Sequence, residues 1–365
     1  MSDARFMALA LSLGRRGQGR VWPNPAVGCV IVQGDRIVGR GWTQDGGRPH
    51  AETEALQQAG DKACGATAYV TLEPCAHHGK TPPCAEALVK AGVSRVVVAV
   101  ADSDARVDGK GLEILRAAGV EVSVGEGAAE ARRDHVGFFT RTEIGRPFVT
   151  LKLANSFDGR IATGTGESQW ITGPEARRVV HGMRSRHDAV MVGGGTARKD
   201  DPSLTVRDLG IPHQPARVVV SRRLDLPLMG KLARTASEIP VILCHGADAD
   251  PALQQTWRDL GATLLPCAVR GTQLNPADVL QQLGAHGLTR VFCEGGGALA
   301  ASLIEEDFVD ELVGFNAGVI IGAEGLPGIG AMGLSKLAAA PRYRLQSVRS
   351  VGSDVMHIWE RDPGA

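Results

Sequence analysis

Four residues in the first hundred carry the clearest chemistry. His50 and Glu52 sit in Pro49-His50-Ala51-Glu52, Cys75 closes Leu72-Glu73-Pro74-Cys75, and Cys84 follows Pro82-Pro83. One imidazole and two thiolates make a good donor set for zinc. Three protein donors leave the fourth tetrahedral position open for water, whereas a structural zinc takes four. A bound ion lowers the pKa of that water toward neutrality. Glu52, two residues past His50, flanks the metal without serving as a ligand. A carboxylate there can carry a proton from the water to a leaving amine, which is the proton traffic of hydrolytic deamination of a nitrogen heterocycle. Cys84 lies nine positions after Cys75, farther than in the usual Pro-Cys-x-x-Cys pattern. Spacing alone therefore leaves two other readings open, a structural zinc site and buried thiols without metal. His77 and His78 on the inserted loop are rival ligands, and at most one of these neighbours faces the site.

The second half points to anions. Gly193-Gly194-Gly195-Thr196 follows the apolar run Ala189–Val192, and Glu294-Gly295-Gly296-Gly297 follows Val291–Cys293 and opens a helix. Glycines at a strand-to-helix turn let backbone N–H groups approach a pyrophosphate. Neither stretch matches G-x-G-x-x-G, and tight turns are the plainer reading. Arg184, Arg186, Arg198, Arg207 and Arg222 are candidate phosphate forks, although any single arginine is ordinarily a solvated surface residue. Gly166-Glu167-Ser168-Gln169-Trp170-Ile171-Thr172 places a tryptophan among small polar groups, either as core or as a ligand wall.

The elements that must position these residues alternate along the chain. Helical spacing covers 3–16, behind a possible Ser2 cap, then 51–59, 82–90, 112–118 and 128–141. Strands are expected at 27–32, 37–42, 67–72, 94–100 and 120–124. Gly145-Arg146-Pro147 reads as a boundary, giving domains 1–145 and 146–365. Beyond it, strands are expected at 148–153, 189–193, 216–221, 240–244, 290–294 and 309–315, and helices at 174–186, 250–259, 275–284 and 297–305. A terminal hairpin is expected over 343–360. Such alternation implies α/β sheets with helices on both faces.

Bulk properties narrow the class. The 365 residues are 43% apolar and only 4% aromatic, with 47 glycines, which fits α/β domains with many tight turns. The 40 basic and 40 acidic residues balance, which weighs against a nucleic-acid binder. Seven irregularly spaced cysteines do not read as a secreted disulfide scaffold. No apolar signal core or membrane-length run appears, so the expectation is a cytoplasmic protein with reduced thiols and no membrane partner.

Several motifs then carry a resemblance over essentially the whole chain. Pro23-Asn24-Pro25-Ala26-Val27-Gly28, His50-Ala51-Glu52 and the run Glu73-Pro74-Cys75 to Pro82-Pro83-Cys84 stand in the first half. Lys152-Leu153-Ala154-Asn155-Ser156-Phe157-Asp158-Gly159-Arg160, Gly166–Thr172, Asp200-Asp201-Pro202 with Leu204-Thr205 and Arg207, and Glu294-Gly295-Gly296 stand in the second. Together they resemble the bacterial bifunctional riboflavin-biosynthesis deaminase/reductase family, whose own pattern includes the long Cys75-to-Cys84 loop. The resemblance implies a cytidine-deaminase-like three-layer α/β/α domain followed by a dihydrofolate-reductase-like α/β domain. It implies zinc-dependent deamination of a diaminopyrimidinone phosphoribosyl compound, then NADPH-dependent reduction of the resulting aminouracil's ribosyl group to ribityl.

By position, Ala154, Trp170, Thr196, Asp200 and the stretch Gly296, Gly297, Ala298, Leu299, Ala300, Ala301 and Ser302 would touch the cofactor. Ser168, Arg184, Leu204, Arg207 and Glu294 would touch the small-molecule substrate, and a homo-oligomer is expected. Ser221 and Arg222 would also touch the cofactor; they stand where the family often has Asp-Ser or Asp-Thr, and an arginine there can still pair with a 2′-phosphate, which keeps NADPH ahead of NADH. The loop 102–107 also departs from the family's commoner Asp-Pro-Asn-Pro run, and the segment 207–216 is short. An RNA-editing deaminase is the contrasting class, but it needs a basic groove. A zinc-stabilised scaffold would have no use for Glu52.

Overall fold

The computed structural model describes residues 3–76, 78, 82–103 and 109–362. Ser2, His77 and most of the loop 102–107 lie outside the described residues. The chain divides into two compact units, Met1–Gly145 and Arg146–Ala365.

The first unit runs α1 (Asp3–Gly14), β1 (Gly28–Gln33), β2 (Arg36–Trp42), α2 (Ala51–Ala59), β3 (Thr67–Val70), α3 (Cys84–Lys90), β4 (Arg95–Val98), α4 (Lys110–Ala117), β5 (Glu121–Val124), α5 (Ala128–Asp134) and α6 (Val136–Ile144). Its sheet has the order β2-β1-β3-β4-β5. β1 is antiparallel to β2 and β3, while β3, β4 and β5 are parallel. Glycines seat the helices directly on the sheet. A Cβ on Gly28 would lie 1.9 Å from the Ala10 carbonyl oxygen of α1, and Cβ atoms on Gly39 and Gly41 would lie 2.1 Å from the Ala55 and Ala51 oxygens of α2. Gly41 pairs with Cys29, the neighbour of Gly28, so alternation puts α1 and α2 on opposite faces. A three-layer α/β/α arrangement results, with Val30, Ile31, Leu88, Val96, Val98 and Leu115 buried in its core.

The second unit runs β6 (Phe148–Asn155), β7 (Arg160–Ala162), α7 (Pro174–Arg184), β8 (Ala189–Gly193), α8 (Gly194–Asp200), β9 (Ala216–Val220), α9 (Lys231–Arg234), β10 (Val241–His245), α10 (Pro251–Asp259) and β11 (Thr263–Pro266). It continues with β12 (Val269–Arg270), β13 (Gln273–Leu274), α11 (Pro276–His286), β14 (Arg290–Gly295), α12 (Gly297–Glu305), β15 (Glu311–Asn316), β16 (Leu326–Pro327), β17 (Tyr343–Val351) and β18 (Asp354–Arg361). The main sheet has the order β11-β10-β9-β8-β14-β6-β15-β18-β17. All pairings from β11 to β15 are parallel, and the terminal hairpin is antiparallel. The inner strands are continuous apolar runs such as Ala189-Val190-Met191-Val192 and Val241-Ile242-Leu243, as strands covered on both faces require.

Several elements differ from the sequence expectation, among them the short β7, α9, β12, β13 and β16, which were not expected. The helix expected over 128–141 breaks into α5 and α6 at His135, which adopts φ −95° and ψ 4° and places Nε2 3.2 Å from the Thr71 hydroxyl. β11 was not expected, because four residues ending in proline give little periodicity. The run Gly193-Gly194-Gly195, read as a turn, leads directly into α8. There the Thr196 hydroxyl donates to the Gly295 carbonyl at 3.1 Å and ties the helix to the end of β14.

Candidate active sites

The first site sits beyond the carboxyl ends of β3 and β4, where open α/β sheets usually bind ligands. His50 is the residue before α2 and has extended φ and ψ, while Glu52 lies in the helix's first turn. Cys75 follows β3 in an irregular stretch, and Cys84 is the first residue of α3, two residues later than the expected helix start. His50 Nδ1 lies 3.6 Å from Cys75 Sγ and 3.3 Å from Cys84 Sγ. The donor atoms of all three lie within 4.8 Å of one another. Zinc–nitrogen and zinc–sulfur bonds at tetrahedral angles give donor separations of roughly 3.5 Å, so this set fits zinc. The Cys84 amide donates to Cys75 Sγ at 3.3 Å. A hydrogen bond from Cys84 lowers the Cys75 thiol to about 4, with His50 adding to the effect against burial. Cys84 itself is pushed up by the same contact and by burial. His50 is raised, chiefly by its hydrogen bond to Cys75.

Glu52 is 4% exposed and stands outside the donor triad, with a hydrogen bond to the Cys84 thiol. Burial and then the Cys75 charge raise its carboxyl to about 7. A cavity of 270 Å³ opens over His50, Glu52 and Cys75, walled by Asn24, Arg48, Glu73, Asp102, Phe138 and Arg141 among others. The sequence motifs contain Asn24 and Glu73 but give no signal for Phe138 or Arg141, which one turn of α6 brings to the wall. Glu73 accepts from the backbone amides of Asp102, Gly109, Gly111 and Leu112 at 2.9–3.3 Å. That carboxylate fixes both ends of the segment after β4. His78 is exposed, lies 3.5 Å from Glu86 and does not belong to the donor group.

The second site lies at the carboxyl ends of β6, β8, β9 and β14. One cleft of 640 Å³ brings together Ala154, Ser168, Trp170, Arg184, Thr196, Asp200, Leu204, Arg207, Glu294 and Gly296, all of them anticipated. Trp170 is a wall and not core: it is 66% exposed, and the Arg177 guanidinium lies 4.4 Å from its ring centroid. Glu294 accepts from Arg184 Nε at 2.5 Å, and Arg184 Nη1 donates to the Thr205 carbonyl at 2.8 Å. Lys152 Nζ stands 3.8 Å from the other Glu294 oxygen. Burial opposes ionisation of Glu294, yet Arg184 and Lys152 hold it at about 2. Burial lowers Lys152, and Glu294 partly offsets that. Lys152 lines this cleft too and was not singled out in the sequence. The available signal was its place two residues before Ala154, on the same face of β6.

A second cleft of 540 Å³ contains Gly194, Gly195, Arg198, Ser221, Arg222, Arg223, Ala298, Leu299 and Ser302. A Cβ on Gly195 would meet no atom within 4 Å, so the bare backbone there faces open space that a ligand can approach. The two clefts share the first turn of α8 and the start of α12 as lining. The stretch 296–302 divides by helical period. Ala300 and Ala301 are buried beneath α12 and line neither cleft. Gly297 also lines neither and packs against the 327–330 segment, where its carbonyl accepts from the Gly330 amide at 2.8 Å. Ser221 donates to Asp225 at 3.3 Å, and Arg222 pairs with Asp248 at 2.6 Å. Arg198 pairs with Asp225. Arg186 lines neither cleft. Asp158, read as part of a turn, does more: it accepts from the Gly322 and Ile321 amides and pins a distant loop beside the site.

Comparison with known proteins covers both units. The family model described as the RibD C-terminal domain matches residues 147–357. The model described as the cytidine and deoxycytidylate deaminase zinc-binding region matches residues 1–100. The chain is 41% identical to the riboflavin biosynthesis protein RibD of Aquifex aeolicus over 98% of both chains. It is 40% identical to that of Escherichia coli, over 98% of this chain and 99% of the relative. Acinetobacter baumannii RibD superposes with a TM-score of 0.88 at 38% identity, covering 99% of each chain. A Thermotoga maritima diaminohydroxyphosphoribosylaminopyrimidine deaminase/5-amino-6-(5-phosphoribosylamino)uracil reductase does so with 0.85 at 33% identity, covering 98% of each.

Proposed function

The chain belongs to the RibD family of riboflavin-biosynthesis enzymes, and from that premise we propose which residues carry each of its two activities. It is a zinc-dependent deaminase and an NADPH-dependent reductase in one polypeptide. Residues 1–145 carry the deaminase and 146–365 the reductase. The substrates are 2,5-diamino-6-(5-phosphoribosylamino)pyrimidin-4(3H)-one and then 5-amino-6-(5-phosphoribosylamino)uracil.

His50, Cys75 and Cys84 hold the zinc, which when bound supplies Lewis-acid activation of a water at neutral pH. Glu52 takes a proton and passes it to the leaving amine. A buried carboxyl beside the donor triad, on the wall of the same cavity, is placed for both halves of that transfer, and this is the observation that carries the reading. The cavity wall from Asn24 to Phe138 excludes bulk water from the ring.

In the reductase, Ala154, Trp170, Thr196, Asp200 and Gly296 cradle the nicotinamide end of NADPH, which supplies the hydride. Ser221, Arg222, Ala298, Leu299 and Ser302 line the cleft for its adenosine end. Ser168, Leu204, Arg207 and Glu294 meet the substrate, and Arg184 orients Glu294. Arg184 is already engaged by Glu294 and the Thr205 carbonyl, so exposed Arg207 is the better partner for the substrate phosphate. Lys152 holds a proton at the cleft floor, where the opening of a sugar ring needs an acid.

A cytoplasmic location is part of this reading, supported by seven free cysteines. Among the described residues no helix is long and apolar enough to cross a membrane. Self-association is a further part, supported by the exposed apolar residues Leu345, Val348 and Val355 on the terminal hairpin. Incubation with the diaminopyrimidinone, with and without NADPH, tests the two-step reading by mass spectrometry. Aminouracil alone is expected without NADPH, and the ribityl product with it. An unchanged substrate in both arms would contradict it.

A further inference from the structure

We infer that Arg223, and not Arg222, selects NADPH by binding the 2′-phosphate of its adenosine ribose. This rests on the reading that the second cleft takes the adenosine end of the cofactor. Three guanidiniums stand around that cleft, Arg198, Arg222 and Arg223. Two of them are already neutralised. Arg198 Nη1 pairs with Asp225 at 2.8 Å. Arg222 Nη2 pairs with Asp248 at 2.6 Å while its Nε donates to the same carboxylate at 3.1 Å, a two-pronged contact that uses the planar face of the fork. The Arg222 backbone is held as well, its carbonyl accepting from the Gly246 amide at 2.9 Å. Arg223 is exposed at the rim, and no hydrogen bond or ion pair joins it to a described residue, although its charge also reaches the Asp248 carboxylate that Arg222 holds.

The turn that carries it is fixed. It follows β9, where the Leu224 amide donates to the Ser221 carbonyl at 3.2 Å. Leu224 is fully buried with φ +57°. An L-residue in that left-handed conformation persists only where its surroundings hold it, here by burying the side chain. An anchored turn thus presents a guanidinium with no hydrogen-bonded partner near Ser221, at the end of the strand where dinucleotide folds meet the adenosine ribose. A phosphate there gains a charge-assisted contact to Arg223 without breaking an existing ion pair. Binding Arg222 instead requires displacing Asp248, and the carboxylate so released would repel the phosphate.

The test is calorimetric binding of NADPH and NADH to the full-length protein and three variants. Wild type is expected to prefer NADPH. Arg223→Ala is expected to weaken NADPH about 10- to 100-fold while changing NADH less than about threefold. The charge-neutral double variant Arg222→Ala/Asp248→Ala is expected to keep the NADPH-to-NADH preference within about threefold. Full preference in Arg223→Ala overturns the assignment, and so does its loss in the double variant. Ser302→Trp, checked for native circular dichroism, fills the cleft and is expected to weaken both cofactors alike. Unchanged binding of both to that variant would show that the cleft does not hold the adenosine end, a failure of the underlying reading and not of Arg223 alone.

Discussion

Replacing Glu294 by Gln isolates the buried charge cluster of the reductase. The carboxylate is buried and sits between Arg184 at 2.5 Å and Lys152 at 3.8 Å. Its ionisation lies at about 2 against an ordinary 4.5. That gap corresponds to about 3 kcal/mol of stabilisation at neutral pH, in line with the 3–5 kcal/mol typical of removing one partner from a buried pair. The sign follows from the depressed value. The contribution is fully present above 4.5, where the unfolded chain is also ionised, and is lost as pH falls toward 2. Urea unfolding of Glu294→Gln at pH 7 is expected to show the second unit destabilised by about 3 kcal/mol. At pH 3.5 the difference from wild type is expected to shrink by about 1 kcal/mol, because the unfolded wild-type carboxyl has begun to take up protons. A difference below about 0.5 kcal/mol at pH 7, or one that grows on acidification, would refute the electrostatic account.

Three further outcomes are expected. Cys84→Ser is expected to lose zinc by metal analysis and to lose deamination, while reduction of supplied aminouracil continues. Concurrent loss of reduction would show that the two activities share the metal. Gly28→Ala places a Cβ 1.9 Å from the Ala10 oxygen and should destabilise the first unit by about 1–3 kcal/mol, read as a lowered Tm; an unchanged Tm would mean that α1 can move off the sheet. Glu73→Gln turns an amide toward four backbone donors, so the deaminase KM should rise about tenfold with zinc retained, and an unaltered KM would remove Glu73 from loop positioning.

Legibility in the sequence followed the range of the interactions. α2 and α12 begin and end where periodicity and glycine punctuation place them, at 51–59 and 297–305, because local signals suffice there. The break at His135 was hidden, since it depends on a contact with Thr71, sixty-four positions away. α8 was hidden because three glycines argue against a helix that tertiary contacts then support. Among site residues, motif spacing gathered the donor triad, and the family resemblance gathered most of the reductase cleft. Lys152 and Arg223 escaped for a common reason. Each is an ordinary cation in the sequence, and only its neighbours' pairings, Glu294 for one and Asp248 for the other, give it a role.

The central claim is that an open zinc site works with Glu52 as its proton carrier, separately from the reductase. Product analysis of Glu52→Gln tests it most directly, with zinc content measured on the same sample and with both pyrimidines offered in turn. Full zinc occupancy, deamination lowered by about 10²–10⁴-fold and undiminished NADPH-dependent reduction of aminouracil are expected. Normal deamination with zinc bound would contradict the account.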